Sequence, residues 1–364
     1  MSVWQPVKYS HNNLSPKERK LLLLCLLPFK RCINRDTLPL YTKNLQKLEL
    51  FNSYVFDKLD ELIQEAIDRG FLSPDSNYPS LLKFEIVFPC FLRTEIERPD
   101  NAIYTALQQG FRNYYQDLAV DYEQLMNSKD ANERQIGRLC CQEERENLYN
   151  ALKMSLEKQE NISIFFCLDR YFEVSNNCLR RLSMAQEVCQ SLEKYTAFGQ
   201  TDALGYKSVL ALYRLAGSYY ANNQYQQAEQ SCRRVLEIVQ ALKSVEEKDL
   251  QGLIANTYHQ LGVIAQKERN FKGARQNYQQ ALDVKIEYGD RVGTAMTYHQ
   301  LGEIAYQRWE LKEARYNYQQ ALDINLEYGD RYNCAKTYFA MGLIAEAQAD
   351  LHEAMANVQK ALEI

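Results

Sequence analysis

Forty residues of this chain are followed at once by a second version of themselves. Residues 255–294 read ANTYHQLGVIAQKERNFKGARQNYQQALDVKIEYGDRVGT, and residues 295–334 read AMTYHQLGEIAYQRWELKEARYNYQQALDINLEYGDRYNC, with 24 of 40 positions identical and no gap. A fixed period in this range argues against a single closed core. It predicts a stacked array in which each unit buries its apolar face only against its neighbours. Such an array offers a long surface, so the period points to binding before it points to catalysis.

The shared residues show what each unit is. Tyr258, Leu261, Gly262 and Ala265 fall on one helical face, matched by Tyr298, Leu301, Gly302 and Ala305. A second helix follows with Ala274, Tyr278 and Ala281, matched by Ala314, Tyr318 and Ala321. Small residues let two helix backbones approach, and the aromatic rings fill the space beside them. Two weaker copies flank the pair. Tyr338, Met341, Gly342, Ala345, Ala354, Val358 and Ala361 make the last. Leu212, Leu215, Ala216, Ala228, Cys232 and Val235 make the first, with Ala216 in the glycine place and an offset of 46 residues to the next copy. The segment 242–251, LKSVEEKDLQ, is expected to absorb the six extra residues.

The order aromatic–Leu–Gly, then Ala, Tyr and Ala, resembles the tetratricopeptide repeat (TPR), a helix–turn–helix unit. The resemblance covers roughly residues 209–364 and implies an α-solenoid of about four helix pairs. Two departures stand out. The period exceeds the usual one of about 34 residues, so longer helices are expected. The closing proline is missing, and the turns Glu287-Tyr288-Gly289-Asp290 and Glu327-Tyr328-Gly329-Asp330 rely on glycine to end the helix.

All eight prolines lie at or before Pro99. Proline breaks helix interiors, so the chain beyond it can be almost continuous helix and the first hundred residues are of another kind. There Ser15-Pro16-Lys17-Glu18 reads as a capping box opening a buried helix through Leu27. Asn34 or Asp36 can open a second helix toward Leu48. A third is expected from about Asn52 to Arg69, with Tyr54, Phe56, Leu59, Leu62, Ile63 and Ala66 inward and Gly70 as its stop. Phe71-Leu72, a turn at Ser73-Pro74-Asp75-Ser76, and Leu81–Phe88 read as a short hairpin. Three helices and a hairpin predict a winged-helix-like domain over residues 1–97.

The phrases LSPKERKLLLLCLLPF, IDRGFLSPD, FPCFLRTEI and EERENLYNAL resemble the region that follows the nucleotide-binding core in bacterial STAND (NB-ARC-like) ATPases with TPR sensors. That resemblance implies a winged helix that restrains an NTPase and a repeat array that senses a ligand or partner. No Gly-x-x-x-x-Gly-Lys-Ser/Thr loop occurs, so the expected relation is to the back half of such a protein, as a fragment or a split-gene product. Residues 98–205 read as an irregular helical region. Its helices are expected over 102–126, from an Asp130/Glu133 cap through Leu152, over 162–171 and over 177–195, with a joint at 196–205. The array then occupies 206–364.

Charge gives no push toward a polyanion: 43 basic and 47 acidic residues leave a net −4. The Leu21–Phe29 run is far too short to span a bilayer. The start MSVWQPVKYSHNN lacks a signal-peptide core, and ten scattered cysteines without a Cys-x-x-Cys pair fit a reducing cytoplasm. No membrane association is expected.

The chemistry-bearing candidates are sparse. His259 and His299 sit one repeat apart, but a metal site needs three or four converging ligands, and the Tyr-His-Gln-Leu motif accounts for both. Four histidines give no evident Cys–His nucleophile. Glu143-Glu144, Arg180-Arg181 and Arg233-Arg234 read as solvated helix faces. DNA is the serious rival, because a winged helix docks its third helix in the major groove. Here that helix carries Asp57, Asp60, Glu61, Glu65 and Asp68 against Lys58 and Arg69, with only Lys83 on the hairpin, which phosphates would repel.

The resemblance to TPR proteins puts the first helix of each pair on the concave side. By position, the lining would be Tyr213, Arg214, Tyr220, Asn256, His259, Gln260, Gln266, Lys267, His299, Gln300, Glu303, Tyr306, Gln307, Lys336, Phe339 and Glu346. This polar and aromatic set suits an extended peptide; the competing reading is that the His-Gln pairs merely bridge adjacent helices. The resulting expectation is a non-catalytic protein-binding module without a cofactor, the regulatory arm of a STAND-type switch. A winged-helix transcriptional regulator with a TPR ligand sensor is the alternative. Self-association through the last repeat is expected too, with Ala345, Leu351, Ala354, Val358 and Leu362 left uncovered.

Overall fold

The computed structural model describes residues 24–85, 102–195, 202–240 and 247–364. The chain divides into two compact units, Met1–Met184 and Ala185–Ile364. Fifteen α-helices lie among the described residues. The Ser15 capping box, the FPCFLRTEI phrase and most of the 196–205 joint lie outside them.

In the first unit, β1 (Cys32–Asn34) leads through a 3-10 turn, Arg35–Thr37, into α1 (Leu38–Gln46). The Asn34 side chain caps the turn by accepting from the Asp36 amide at 3.1 Å. Helix α2 (Leu59–Asp68) is followed by β2 (Leu72–Pro74) and β3 (Leu81–Phe84). The three strands form an antiparallel sheet in the order β1-β3-β2, with Ile33 opposite Leu82 and Ser73 opposite Lys83. Pro74 is tolerated because β2 is an edge strand. Helix α2 begins seven residues later than its apolar pattern suggests. Phe51, Tyr54 and Phe56 cluster ring on ring, at 6.0 and 5.3 Å along the series, and the backbone turns around them before the helix starts. Gly70, at φ +71°, ends α2 as expected. Strand β1, three residues long, is too short to show alternation and was not anticipated.

Helix α3 (Ala102–Asn127) is the unit's central helix. Its Phe111, Tyr114 and Tyr115 meet Phe29 and Tyr41 in a buried aromatic cluster, with ring centroids 4.7–6.2 Å apart. Asp130 caps α4 (Ala131–Glu143) through the amides of Asn132 and Glu133. The single helix expected from there to Leu152 is two. The chain breaks at Glu144, and α5 (Arg145–Glu157) follows. Helices α6 (Ser163–Val174) and α7 (Cys178–Leu192) complete the series, α7 carrying the boundary at Met184.

The second unit is an array of four antiparallel pairs: α8 (Asp202–Ala221) with α9 (Tyr225–Val239), α10 (Glu247–Lys267) with α11 (Phe271–Tyr288), α12 (Arg291–Gln307) with α13 (Leu311–Glu327), and α14 (Arg331–Ala347) with α15 (Leu351–Glu363). Helix α10 has 21 residues against 17 in α12 and α14. Part of the extra length of the second pair therefore extends a helix rather than a loop. Each core cluster joins one pair to the first helix of the next. Ala265, Ala274, Tyr278 and Leu282 pack with Leu301 and Ile304; Ala305, Ala314, Tyr318 and Leu322 pack with Met341 and Ile344. This is the nearest-neighbour burial that the period implies.

The turns repeat as well. Gly289 and Gly329 take left-handed φ of +81° and +67°. Asp290 and Asp330 then cap α12 and α14 through the amides of Gly293 and Asn333. Inside the pairs the left-handed residue is never glycine: Asn223, Arg269, Trp309 and Ala349 occupy it at φ 58–62°. Two equivalent arginines tie neighbours together, Arg275 to Glu313 at 2.6 Å and Arg315 to Glu353 at 2.5 Å. Both pairs keep about a third or more of each side chain in solvent and are of modest worth.

Candidate functional site

The positions expected to line the array divide into two groups. Along the first helices, Tyr220, Gln266, Lys267, Gln300, Glu303 and Gln307 converge on one groove of about 690 Å³. Val263, Arg269, Phe271 and Tyr278 complete its wall. The helical period explains the convergence. Gln266 and Lys267 stand at the end of α10, one repeat before Tyr306 and Gln307 at the end of α12, so side chains of the same register line up from pair to pair. Within the groove, Gln266 Oε1 accepts from the Tyr278 hydroxyl at 3.0 Å. Gln307 Nε2 lies 3.4 Å from Glu303 Oε1. The remaining amide donors and acceptors, with a lysine, an arginine and a carboxylate, suit the backbone and mixed side chains of a peptide. Asn256, Lys336, Phe339 and Glu346 are exposed on the same series of helices, whereas Tyr213, Arg214, Gln260 and Tyr306 are half-buried.

The two histidines do something else. His259 lies 5.1 Å from the Tyr278 ring, with Nδ1 3.5 Å from the Thr297 hydroxyl of the next pair. His299 repeats the arrangement with Tyr318 at 5.1 Å and Thr337 at 3.2 Å. His299 is buried, and burial lowers both imidazoles to about 4. They are neutral struts between repeats, and among the described residues no group of His, Cys, Asp or Glu is arranged to hold a metal ion. Phe339 stands in the same register on the last pair and is 52% exposed.

Three groups escaped sequence reasoning. Lys285, on α11, is buried and donates to the Gly293 carbonyl at 3.3 Å and to Thr297 Oγ1 at 3.2 Å. Burial pushes its pKa down. Its counterpart one repeat on is Asn325, so the strict period would have flagged the exchange. Arg181, read as part of a solvated face, is buried and grips Asp169 in a two-pronged pair at 2.7 and 3.0 Å. Glu144, read the same way, is buried at 1% exposure and accepts from the Tyr115 hydroxyl. Neither is visible locally, because the partners lie 12 and 29 residues away. On α2, Asp60 is engaged by Arg35 at 2.6 Å, and Lys83 pairs with Asp75 at 2.5 Å. The one base expected on the hairpin is therefore already neutralised.

Comparison with known proteins agrees with the repeat reading. Family models described as tetratricopeptide repeat match residues 209–242, 253–327 and 335–364. The chain thus carries TPR repeats, which are protein-interaction units. No curated protein matches the chain in sequence. Among solved structures, BtubC (BKLC) from P. vanneervenii is 16% identical, with 68% of this chain and 90% of that one covered and a TM-score of 0.47. A Signal Transduction ATPase with Numerous Domains carrying a tetratricopeptide repeat sensor, from Pyrococcus horikoshii, is 14% identical; 99% of this chain aligns to 52% of that one, with a TM-score of 0.48. The apo form of RapI is 12% identical, covers 88% and 75%, and has a TM-score of 0.49. Among the described residues no helix is long and apolar enough to cross a membrane.

Proposed function

We propose that the chain is a non-catalytic binding protein whose repeat groove receives an extended peptide segment of a partner. The observation that carries this reading is the convergence of Tyr220, Gln266, Lys267, Gln300, Glu303 and Gln307, from three successive first helices, on one groove. Glutamine side chains at repeat spacing can pair with a peptide backbone, which itself repeats donors and acceptors. The flanking Lys267, Arg269 and Glu303 then select side chains. Screening a peptide library against the whole chain tests it. Gln300→Ala and Lys267→Ala should each weaken a selected peptide while leaving helix content unchanged. Peptides that bind these variants as well as the parent chain would remove the groove from consideration.

The finer reading is that this groove belongs to the regulatory arm of a STAND-type switch. The first unit lends support with two helices and a hairpin whose last strand is joined by an earlier strand in the order β1-β3-β2, while most of the first of the three expected helices lies outside the described residues. The acidic α2 and the paired Lys83 speak for a protein-facing role of that domain rather than a DNA-facing one. With no phosphate-loop sequence in the chain, the purified protein should release no phosphate from ATP and magnesium above a blank. Stoichiometric ATP binding in a calorimeter would overturn this assignment without touching the peptide groove.

A further inference from the structure

At the first junction of the array the residues of the arginine ties are exchanged. Arg275 of α11 reaches Glu313 at 2.6 Å and Glu310 at 3.4 Å, both at the start of α13. Arg315 of α13 holds Glu353 at 2.5 and 2.8 Å and the Gln348 amide oxygen at 2.9 Å. Where α9 meets α11, the arginine position is Glu229 and the glutamate position is Gly273. Glu268, just beyond α10, stands where Gln348 accepts from Arg315. The exchange removes the guanidinium and leaves a carboxylate on either side of its course.

A groove of about 720 Å³ lies at this junction, and Glu229, Glu268, Asn270 and Gly273 all line it. Its one base, Arg233, turns back along α9 to Glu229 at 2.6 Å. Asp283 adds a third carboxylate, which accepts from the Gln279 amide at 2.8 Å. Three carboxylates against one cation give the groove a negative balance. The positions that close around a guanidinium at the next two junctions here face an open groove.

We propose that this groove docks an extended segment of a partner protein through an arginine, whose guanidinium bridges Glu229 and Glu268 as Arg315 bridges Glu353 and Gln348. Arginine fits better than lysine, because its planar fork donates in two directions at once to acceptors on separate elements. The amides of Gln276 and Gln280, on α11, line the same groove and can pair with the backbone of the segment. This surface shares no residue with the groove of Tyr220 and Gln300, so neither proposal depends on the other.

The test is a fluorescence anisotropy titration of the whole chain with a labelled Arg-Gly-Arg-Gly-Arg peptide and with its lysine counterpart. Saturable binding is expected, about tenfold weaker for the lysine peptide. Glu229→Arg combined with Gly273→Glu rebuilds the tie that the chain already makes at its other junctions, and should weaken binding about tenfold or more while helix content holds. A side chain at position 273 asks only the Asn270 amide, 2.6 Å from the new Cβ, to move. Glu268→Gln should weaken binding a few-fold, and serves if the double variant fails to fold. Glu237→Arg, on α9 but outside the groove, shifts the net charge further in the same direction and should change nothing. Full-strength binding by the rebuilt tie would overturn the site. So would arginine and lysine peptides that bind alike, or losses that follow net charge across all variants, since both mean diffuse attraction to an acidic protein.

Discussion

Replacing Gly262 by alanine isolates the contact on which the repeat depends. A Cβ at Gly262 would stand 2.6 Å from two carbons of the Tyr278 ring, and one at Gly302 would stand 2.8 Å from Tyr318. Tyr278 is fully buried, so its ring cannot swing out of the way. Forcing one methyl group into such a contact costs about 1–3 kcal/mol, while exchanging helical glycine for alanine returns about 1 kcal/mol. Gly217, in α8, supplies the control, because a Cβ there meets nothing within 4 Å. Gly217→Ala should therefore stabilise the array by about 1 kcal/mol, whereas Gly262→Ala should lie between neutral and about 2 kcal/mol destabilising once the propensity gain is subtracted. The difference between the two variants cancels propensity and leaves the packing contribution, about 1–3 kcal/mol. Urea unfolding followed by circular dichroism, with unchanged slopes, reads it directly. If Gly262→Ala unfolds at the same urea concentration as Gly217→Ala or above it, the close glycine–tyrosine contact is not what joins the helices of a pair.

Two further outcomes follow from charge and exposure. His259 and His299 have folded values near 4 against 6.5 unperturbed. The unfolded chain then takes up protons first, and the array should lose stability as pH falls from about 6.5 to 4. Glu144 runs the opposite way: its folded value of about 7 exceeds the ordinary 4.5, so its contribution is complete at low pH and is lost as pH rises toward 7. Hydrogen exchange resolved by segment should show the two units weakening in opposite directions, with His299→Gln flattening the acid limb in residues 291–347; parallel profiles would contradict both assignments. On α15, Leu351, Met355, Val358 and Leu362 are 67, 74, 37 and 82% exposed on one stripe, whereas Ala345, expected beside them, is buried. Light scattering should give a mass that rises with concentration and falls back to monomer in Met355→Glu; a monomer throughout would remove this stripe as a self-association surface.

The sequence was most informative where it repeated. A strict period fixed which residues share a face, so Tyr278, Tyr318 and the left-handed Gly289 and Gly329 could be placed from spacing alone. Long helices with proper caps were equally legible, as at Asp130. What stayed hidden depended on distant partners or on context. The break at Glu144 is held by Tyr115, and the burial of Arg181 by Asp169. Neither leaves a mark in the local pattern, and a charged doublet is more often solvated than buried. The left-handed Arg269, Trp309 and Ala349 break the usual preference for glycine, and only the surrounding pair makes them tolerable. The groove was half legible: register identified its amides, but the histidines in that register are covered by the next pair. The threonines at Thr297 and Thr337, each 38 residues after a histidine, were the available clue.

The two units also differ in how far apart in the chain their contacts reach, and that bears on how they come to be folded. In the array, His299 meets Thr337 across 38 residues, so a pair and the helix after it suffice to close each core. In the first unit, Asn147 Nδ2 donates to the Cys32 carbonyl across 115 residues, and Phe29 packs edge-on against Phe111 at 5.0 Å. Contacts that distant must wait for loop closure and slow folding. At a synthesis rate of about 5–20 residues per second, Cys32 emerges on the order of ten seconds before Asn147 does. For most of that interval, until α3 has followed, Phe29 and Tyr41 lack the rings of Phe111 and Tyr114 that they pack against. The first unit thus stays open until residues more than a hundred positions downstream have been made, while the array behind it can assemble pair by pair as it leaves the ribosome.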